Sequence, residues 1–141
     1  MAAVNTQFSI AIHLLAGLGY GRDGVSSSHL ADSVNANASF VRRILAKLSK
    51  ANLVHTSTGK GGTCSLAKNP SEITLLDIYE AVEAPKAFAI HAYPAESSCK
   101  VSCNIKHAME RALGKTQKAM ESGLEQITLA EVISDMKKEK G

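Results

Sequence analysis

At 141 residues and 45% hydrophobic content, the chain can bury one modest core. It has no unbroken apolar stretch of the ~20 residues a spanning helix needs, and its start lacks a secretory-leader pattern. These features exclude a membrane protein and lead us to expect a cytoplasmic location. The formal net charge is only +3, yet residues 33–71 hold six Lys/Arg (Arg42, Arg43, Lys47, Lys50, Lys60, Lys68) and no Asp or Glu, leaving ten basic against thirteen acidic residues elsewhere. One segment therefore carries the positive field, as binding to a line of phosphates requires.

From Val4 to Leu18 the residues Val4, Phe8, Ala11, Ile12, Leu15 and Leu18 share a stripe, and Gly17, Gly19 and Gly21 follow as stop signals. The spacing predicts an amphipathic core helix with His13 exposed or hydrogen-bonded. Ser26-Ser27-Ser28 opens a second short helix through Val34, with Leu30, Ala31 and Val34 inward. Asn35-Ala36-Asn37 then turns into a third helix capped by Asn37. Its Phe40, Val41, Ile44, Leu45 and Leu48 point one way, while Ser39, Arg42, Arg43, Ala46 and Lys50 point the other. Asn52 suits a left-handed stop. The segments Leu53–Ser57 and Thr63–Leu66 read as two short strands around the glycine-rich turn Thr58–Gly62, a β-wing with Lys60 at its tip.

Helix, tight turn, basic helix and wing is the order of a winged helix-turn-helix. In such folds the second helix of the pair enters the major groove, while the preceding helix N-terminus and the wing touch backbone or minor groove. The expected fold class is mainly α with a small β-wing (α+β). The alternative, a solvated basic face on an ordinary helix, does not account for the wing or the missing acids.

Further along, Pro85 to Pro94 reads as a linker, with a small-molecule pocket as the competing reading. Ile105, Ala108, Met109, Ala112, Leu113, Thr116, Ala119, Met120 and Leu124 run at three- and four-residue steps, predicting one long helix with an apolar stripe. A chain this short has little left to cover that stripe. Pairing with a second copy is the expected solution, and packing against Val4–Leu18 the alternative. The Lys/Glu-rich tail after Met136 is expected to fray. Domain boundaries follow as 1–83 for the winged helix-turn-helix, 84–103 for a linker carrying cysteines, and 104–141 for the dimerisation helix and tail.

The run Ser39-Phe40-Val41-Arg42-Arg43-Ile44-Leu45-Ala46-Lys47-Leu48-Ser49-Lys50-Ala51-Asn52-Leu53-Val54, then Gly59-Lys60-Gly61-Gly62, then Ile73-Thr74-Leu75-Leu76-Asp77-Ile78-Tyr79-Glu80-Ala81-Val82-Glu83 resembles the Rrf-type winged-helix regulators. The stretch around Cys99 and Asn104-Ile105 looks most like the YwnA branch. The resemblance implies a bacterial, homodimeric regulator of transcription, commonly a repressor, that binds a double-stranded DNA operator and often senses redox state, nitric oxide or cluster supply. It also implies that Ser39, Arg42, Arg43 and Lys60 face DNA, and Ser28 joins them at the start of the preceding helix. Many cluster-binding relatives carry an acidic residue at the position of Arg42, and Arg and Tyr in the wing where this chain has Thr58 and Cys64. A different operator is therefore expected.

Cys99 and Cys103 stand four residues apart near the start of the long helix, with His107 one turn on and Cys64 on the returning wing strand. A cysteine at a helix start beside Lys100 and Lys106 is in a setting that favours the reactive thiolate. The favoured reading is a redox-sensing thiol switch using Cys99, Cys103 and Cys64, with no cofactor. An iron-sulfur cluster on Cys99, Cys103 and His107 is the alternative. It needs a fourth ligand such as His91 or a residue of a second subunit. Inert thiols are the third reading.

An enzyme is not expected. Gly59, Lys60, Gly61 and Gly62 lack the Walker pattern, no nucleophile elbow or zincin-type His pair occurs, and the five histidines are scattered. Control by a small molecule or a protein partner remains the other regulatory possibility.

Overall fold

The computed structural model describes residues 5–21, 25–57 and 62–139. The chain forms two units, one from residues 1–84 with 124–141 and the other from residues 85–123.

In the first unit, helix α1 (Gln7–Tyr20) buries Ala11, Leu14, Leu15, Ala16 and Leu18. Leu14 and Ala16 lie off the stripe expected from the sequence, and Val4 lies outside the described residues. The burial is wider because α1 is contacted by four further helices and a strand, so more than one of its faces is covered. Gly17 and Gly19 do not stop the helix; it runs on to Tyr20. A Cβ built on Gly19 would lie 2.5 Å from Cδ1 of Ile133, so the tip of that side chain occupies the space a larger residue would take.

A short strand, β1 (Val25–Ser26), leads into α2 (Ser27–Val34), where the Ser26 hydroxyl accepts the His29 amide at 3.2 Å. Asn35 takes a left-handed φ of 55°, ending α2. Asn37 Oδ1 then accepts the amides of Ser39 at 2.8 Å and Phe40 at 3.3 Å, starting α3 (Ala38–Lys50). Helix α3 buries Val41, Ile44, Leu45 and Leu48, as its spacing predicts. Asn52, with φ 63°, ends it: the Leu53 amide reaches Leu48 O at 2.9 Å and the Asn52 amide reaches Ser49 O at 3.0 Å, the Schellman arrangement.

Strands β2 (Val54–Thr56) and β3 (Thr63–Leu66) pair antiparallel with Thr56 opposite Cys64, as expected of the wing. The sheet has a third member, in the order β1-β3-β2, with Val25 also opposite Cys64. After a 3₁₀ turn at Pro70–Glu72 comes α4 (Leu75–Ala81). It starts on a capping box in which Thr74 Oγ1 accepts the Asp77 amide and an Asp77 carboxylate oxygen accepts the Thr74 amide, each at 3.0 Å.

The end of the chain departs from the expected single segment 104–141. The chain turns after Glu125, and a separate helix, α6 (Leu129–Lys138), joins the first unit. The Leu75 amide bonds Ile127 O at 2.9 Å, the Leu129 amide bonds Ile73 O at 2.8 Å, and Leu129 and Ile133 are buried. Helix α6 continues through Lys137 and Lys138, the first two residues of the tail expected to fray after Met136, and residues 140–141 lie outside the described residues.

The second unit consists of residues 85–99, without regular helix or strand, and most of the long helix α5 (Lys100–Glu125). Of the predicted stripe, Ile105, Ala108, Ala112, Thr116 and Ala119 are exposed in a single chain, while Met109, Leu113 and Met120 are half-buried. Gln117 is buried; its Oε1 accepts the Ala87 amide at 3.0 Å and its Nε2 donates to Glu121 at 2.9 Å.

Candidate nucleic-acid interface

Anchoring one face of α3 in the core leaves Ser39, Arg42, Arg43, Ala46 and Lys50 on the opposite face, with both arginines and Lys50 exposed. Arg42 Nη2 donates to Ser39 Oγ at 3.2 Å, so a neighbour one turn back orients its guanidinium. The Arg43 guanidinium lies 5.6 Å from the centroid of the Phe40 ring, a cation–π contact that fixes it along the helix. Among the described residues neither arginine pairs with a carboxylate, and their remaining donors are available to an outside acceptor.

Between α3 and the wing strands lies a cleft of about 330 Å³, lined by Ser27, Arg42, Ala46, Thr56, Ser57 and Thr63 among others. Its hydroxyls were not singled out by the sequence reading, although Thr and Ser recur on both wing strands. The Ser57 hydroxyl accepts the Thr63 amide at 2.9 Å and closes the strand pair toward the tip. Ser28 is exposed in the first turn of α2, next to His29, which is exposed as well. Lys60 lies outside the described residues.

The six basic residues of this segment do not act as one set. Lys47 is half-buried, with Nζ 3.1 Å from Gln7 Oε1 and 3.5 Å from Val82 O. It stands one turn from Arg43, but its ammonium group braces α3 against Gln7 of α1 and the Val82 carbonyl after α4 instead of joining Arg42 and Arg43.

The cysteines divide in the same way. Cys64 is 4% exposed on β3 at the cleft wall, and burial pushes its thiol pKa up, which keeps it protonated at neutral pH. Cys99 and Cys103 are exposed at the start of α5, where the Cys103 amide bonds Cys99 O at 3.0 Å. The Ser102 amide donates to Cys99 Sγ at 3.4 Å, and the Cys103 thiol donates to Glu96 O at 3.4 Å. His107 Nδ1 instead approaches Glu110 at 3.9 Å, and the His91 ring stacks on Tyr93. Among the described residues no group of three or more His, Cys, Asp or Glu side chains is placed as a metal ion would need.

A basic helix after a tight turn, an antiparallel wing beside it and a hydroxyl-lined cleft between them define a winged helix-turn-helix DNA-binding protein. The chain belongs to the Rrf2 family, whose profile, described as an iron-dependent transcriptional regulator, matches residues 4–135. It is 34% identical over 134 residues to the HTH-type transcriptional regulator YwnA of Bacillus subtilis, a match spanning 94% of this chain and 98% of that one. A solved DNA-binding protein shares 32% identity at a TM-score of 0.72, covering 90% of this chain and 98% of the other. The global cysteine regulator CymR of B. subtilis has the same fold, with a TM-score of 0.67 at 20% identity over 95% of this chain and 98% of its own. The protein is thus a DNA-binding regulator of transcription rather than an enzyme. No helix among the described residues is long and apolar enough to cross a membrane.

Proposed function

We propose that the chain is a sequence-specific repressor that binds its operator as a homodimer, with α3 in the major groove. The observation that carries this reading is the outward face of Ser39, Arg42, Arg43, Ala46 and Lys50, in a segment without a single carboxylate from residue 33 to 71. In this role Arg42 and Arg43 read base edges, and Ser39 and Ser28 contact backbone at helix starts. Lys60 of the wing adds a phosphate or minor-groove contact. The uncovered stripe of α5 supplies the second-copy contact, so that two reading helices meet two half-sites.

Selection of operator DNA from a random pool, followed by titration of Arg42→Ala and Arg43→Ala, tests the assignment. Each variant is expected to lose about 1–3 kcal/mol at the selected site where it makes a bidentate contact. Unchanged binding in both would remove α3 from the groove. Sedimentation of the wild type and of Ile105→Asp tests the dimer; a monomeric wild type would end that part of the reading.

A second reading is favoured by the two exposed thiols one turn apart at the start of α5: the regulator responds to oxidants or thiol-reactive stress through Cys99 and Cys103. Operator affinity measured with and without hydrogen peroxide on anaerobically purified protein tests it. A reversible change in a colourless protein supports the thiol response. Visible absorbance with stoichiometric iron would put a cluster, with ligands drawn from more than one chain, in its place.

A further inference from the structure

The two exposed cysteines are not equivalent, and their hydrogen bonds distinguish them. Cys99 Sγ receives the Ser102 amide at 3.4 Å, a contact that survives loss of the thiol proton and strengthens with negative charge on sulfur. Cys103 does the opposite. Its sulfur lies 3.4 Å from Glu96 O and 3.9 Å from Ser97 O, and since a carbonyl can only accept, the thiol must keep its proton to make these contacts. The same carbonyl of Glu96 also takes the Cys99 amide at 2.9 Å.

Residues 93–98 are tied to the first turn of α5 by further bonds. The Tyr93 hydroxyl donates to Ser102 O at 2.6 Å, and Ser102 Oγ accepts the Glu96 amide at 2.8 Å. Four residues of helical rise put the Cα atoms of Cys99 and Cys103 about 6 Å apart, within the Cα span of a disulfide. Helical Cβ atoms at this spacing stand about 5–6 Å apart, so closing the bridge requires the first turn of α5 to shift.

We propose that Cys99 is the thiol that meets peroxide, that Cys103 is its resolving partner within the same chain, and that closing this disulfide loosens residues 93–98 from α5. The proposal rests on the thiol-responsive reading above and adds to it the order of the chemistry. In the first step the Cys99 thiolate attacks hydrogen peroxide: the S–O bond forms, the O–O bond breaks, and hydroxide leaves and is protonated to water. Cys99 is oxidised by two electrons to the sulfenic acid. Cys103 then gives its proton to solvent, and its sulfur attacks Cys99 Sγ. The S–S bond forms as the S–O bond breaks, releasing the second water. With its proton gone and its sulfur turned toward Cys99, Cys103 no longer donates to Glu96 O or Ser97 O.

The test treats the full-length wild type, Cys99→Ser and Cys103→Ser with hydrogen peroxide in the presence of a dimedone-type sulfenic-acid trap, followed by peptide mass spectrometry. In Cys103→Ser the label is expected on Cys99. In Cys99→Ser, Cys103 is expected to label about tenfold more slowly, and untrapped wild type is expected to yield an intrachain Cys99–Cys103 disulfide. Equal or faster labelling of Cys103, or a disulfide between two chains, would overturn the proposal. Hydrogen exchange of the Glu96 and Cys99 amides should speed up in the oxidised wild type; unchanged protection would remove the loosening step.

The two levels fail separately. Label on Cys103 with operator binding still oxidant-responsive sinks this assignment and spares the sensing reading. Label on Cys99 with unaltered operator binding does the reverse, and no reaction at either thiol ends both.

Discussion

Gly19 of α1 and Ile133 of α6 meet so closely that a Cβ on the glycine would stand 2.5 Å from the isoleucine Cδ1, with Leu66 Cδ1 at 3.3 Å on another side. Gly19→Ala must therefore push the ends of the Ile133 and Leu66 side chains aside, and is expected to cost about 1 kcal/mol, at the low end of overpacking because side-chain tips rather than backbone give way. This is the opposite of the usual gain of ~0.5–1 kcal/mol for Gly→Ala inside a helix. Gly17, two residues earlier, supplies the contrast, because a methyl added there would meet nothing within 4 Å. Gly17→Ala should be neutral or stabilising in the same urea titration. Equal effects at both positions would mean that the Ile133 and Leu66 side chains move aside without cost.

Arg42 and Lys47 lie five residues apart on one helix and should fail in different assays. Arg42→Ala is expected to weaken the selected operator while leaving the unfolding midpoint within about 0.5 kcal/mol of wild type. Lys47→Ala removes the bonds to Gln7 and Val82 and is expected to cost about 1 kcal/mol of stability, with operator affinity per folded molecule retained. Ser39→Ala falls between the two. By freeing the guanidinium of Arg42 it should lower discrimination between operator and random DNA more than it lowers binding to random DNA, measured at one fixed salt concentration.

Asn37 satisfies two amides at the start of α3, so Asn37→Ala should cost about 1 kcal/mol and Asn37→Ser should recover most of it. Thermal unfolding followed by circular dichroism reads both. Because Ser39 is one of the capped residues, the alanine variant should also bind operator more weakly than its folded fraction explains.

Burial pushes the Cys64 thiol up, which gives a predicted slope of stability with pH. The unfolded thiol loses its proton first, so across the window from the ordinary thiol value to the raised folded one the unfolded state binds fewer protons. Stability contributed by this residue is therefore complete below the ordinary value and declines as pH rises through the window. The stability difference between wild type and Cys64→Ala should shrink on moving from neutral to alkaline buffer. A constant difference would contradict the burial. At neutral pH iodoacetamide should label Cys99 and spare Cys64.

The reading helix and wing were legible because their signals are local. Asn37 caps, Asn52 turns left-handed, and the spacing of Val41, Ile44, Leu45 and Leu48 already separates an inside from an outside. What the sequence did not disclose depends on neighbours far along the chain. Leu14 and Ala16 are buried because α6 and other elements close around α1, which a single stripe cannot express. Strand β1 is two residues long and exists through its pairing with β3, too short for any period to register. Lys47 counts as positive charge in the sequence, whereas in the fold Gln7 and Val82 occupy its ammonium group. The two exposed cysteines were visible as a spacing, but the opposite senses of their hydrogen bonds come from Glu96, Ser97 and Ser102.

Helix α6 gives the protein a direction in time. A ribosome makes the reading helix and wing early, yet Leu129 and Ile133, which seal the side of the core next to Gly19, emerge only after all of α5 has been made. A nascent chain halted before Leu129 displays the uncovered core to chaperones and proteases, so protease sensitivity of stalled chains should drop once α6 clears the exit tunnel. Packing of the unit that carries the reading helix is thereby completed only once α6 has been made.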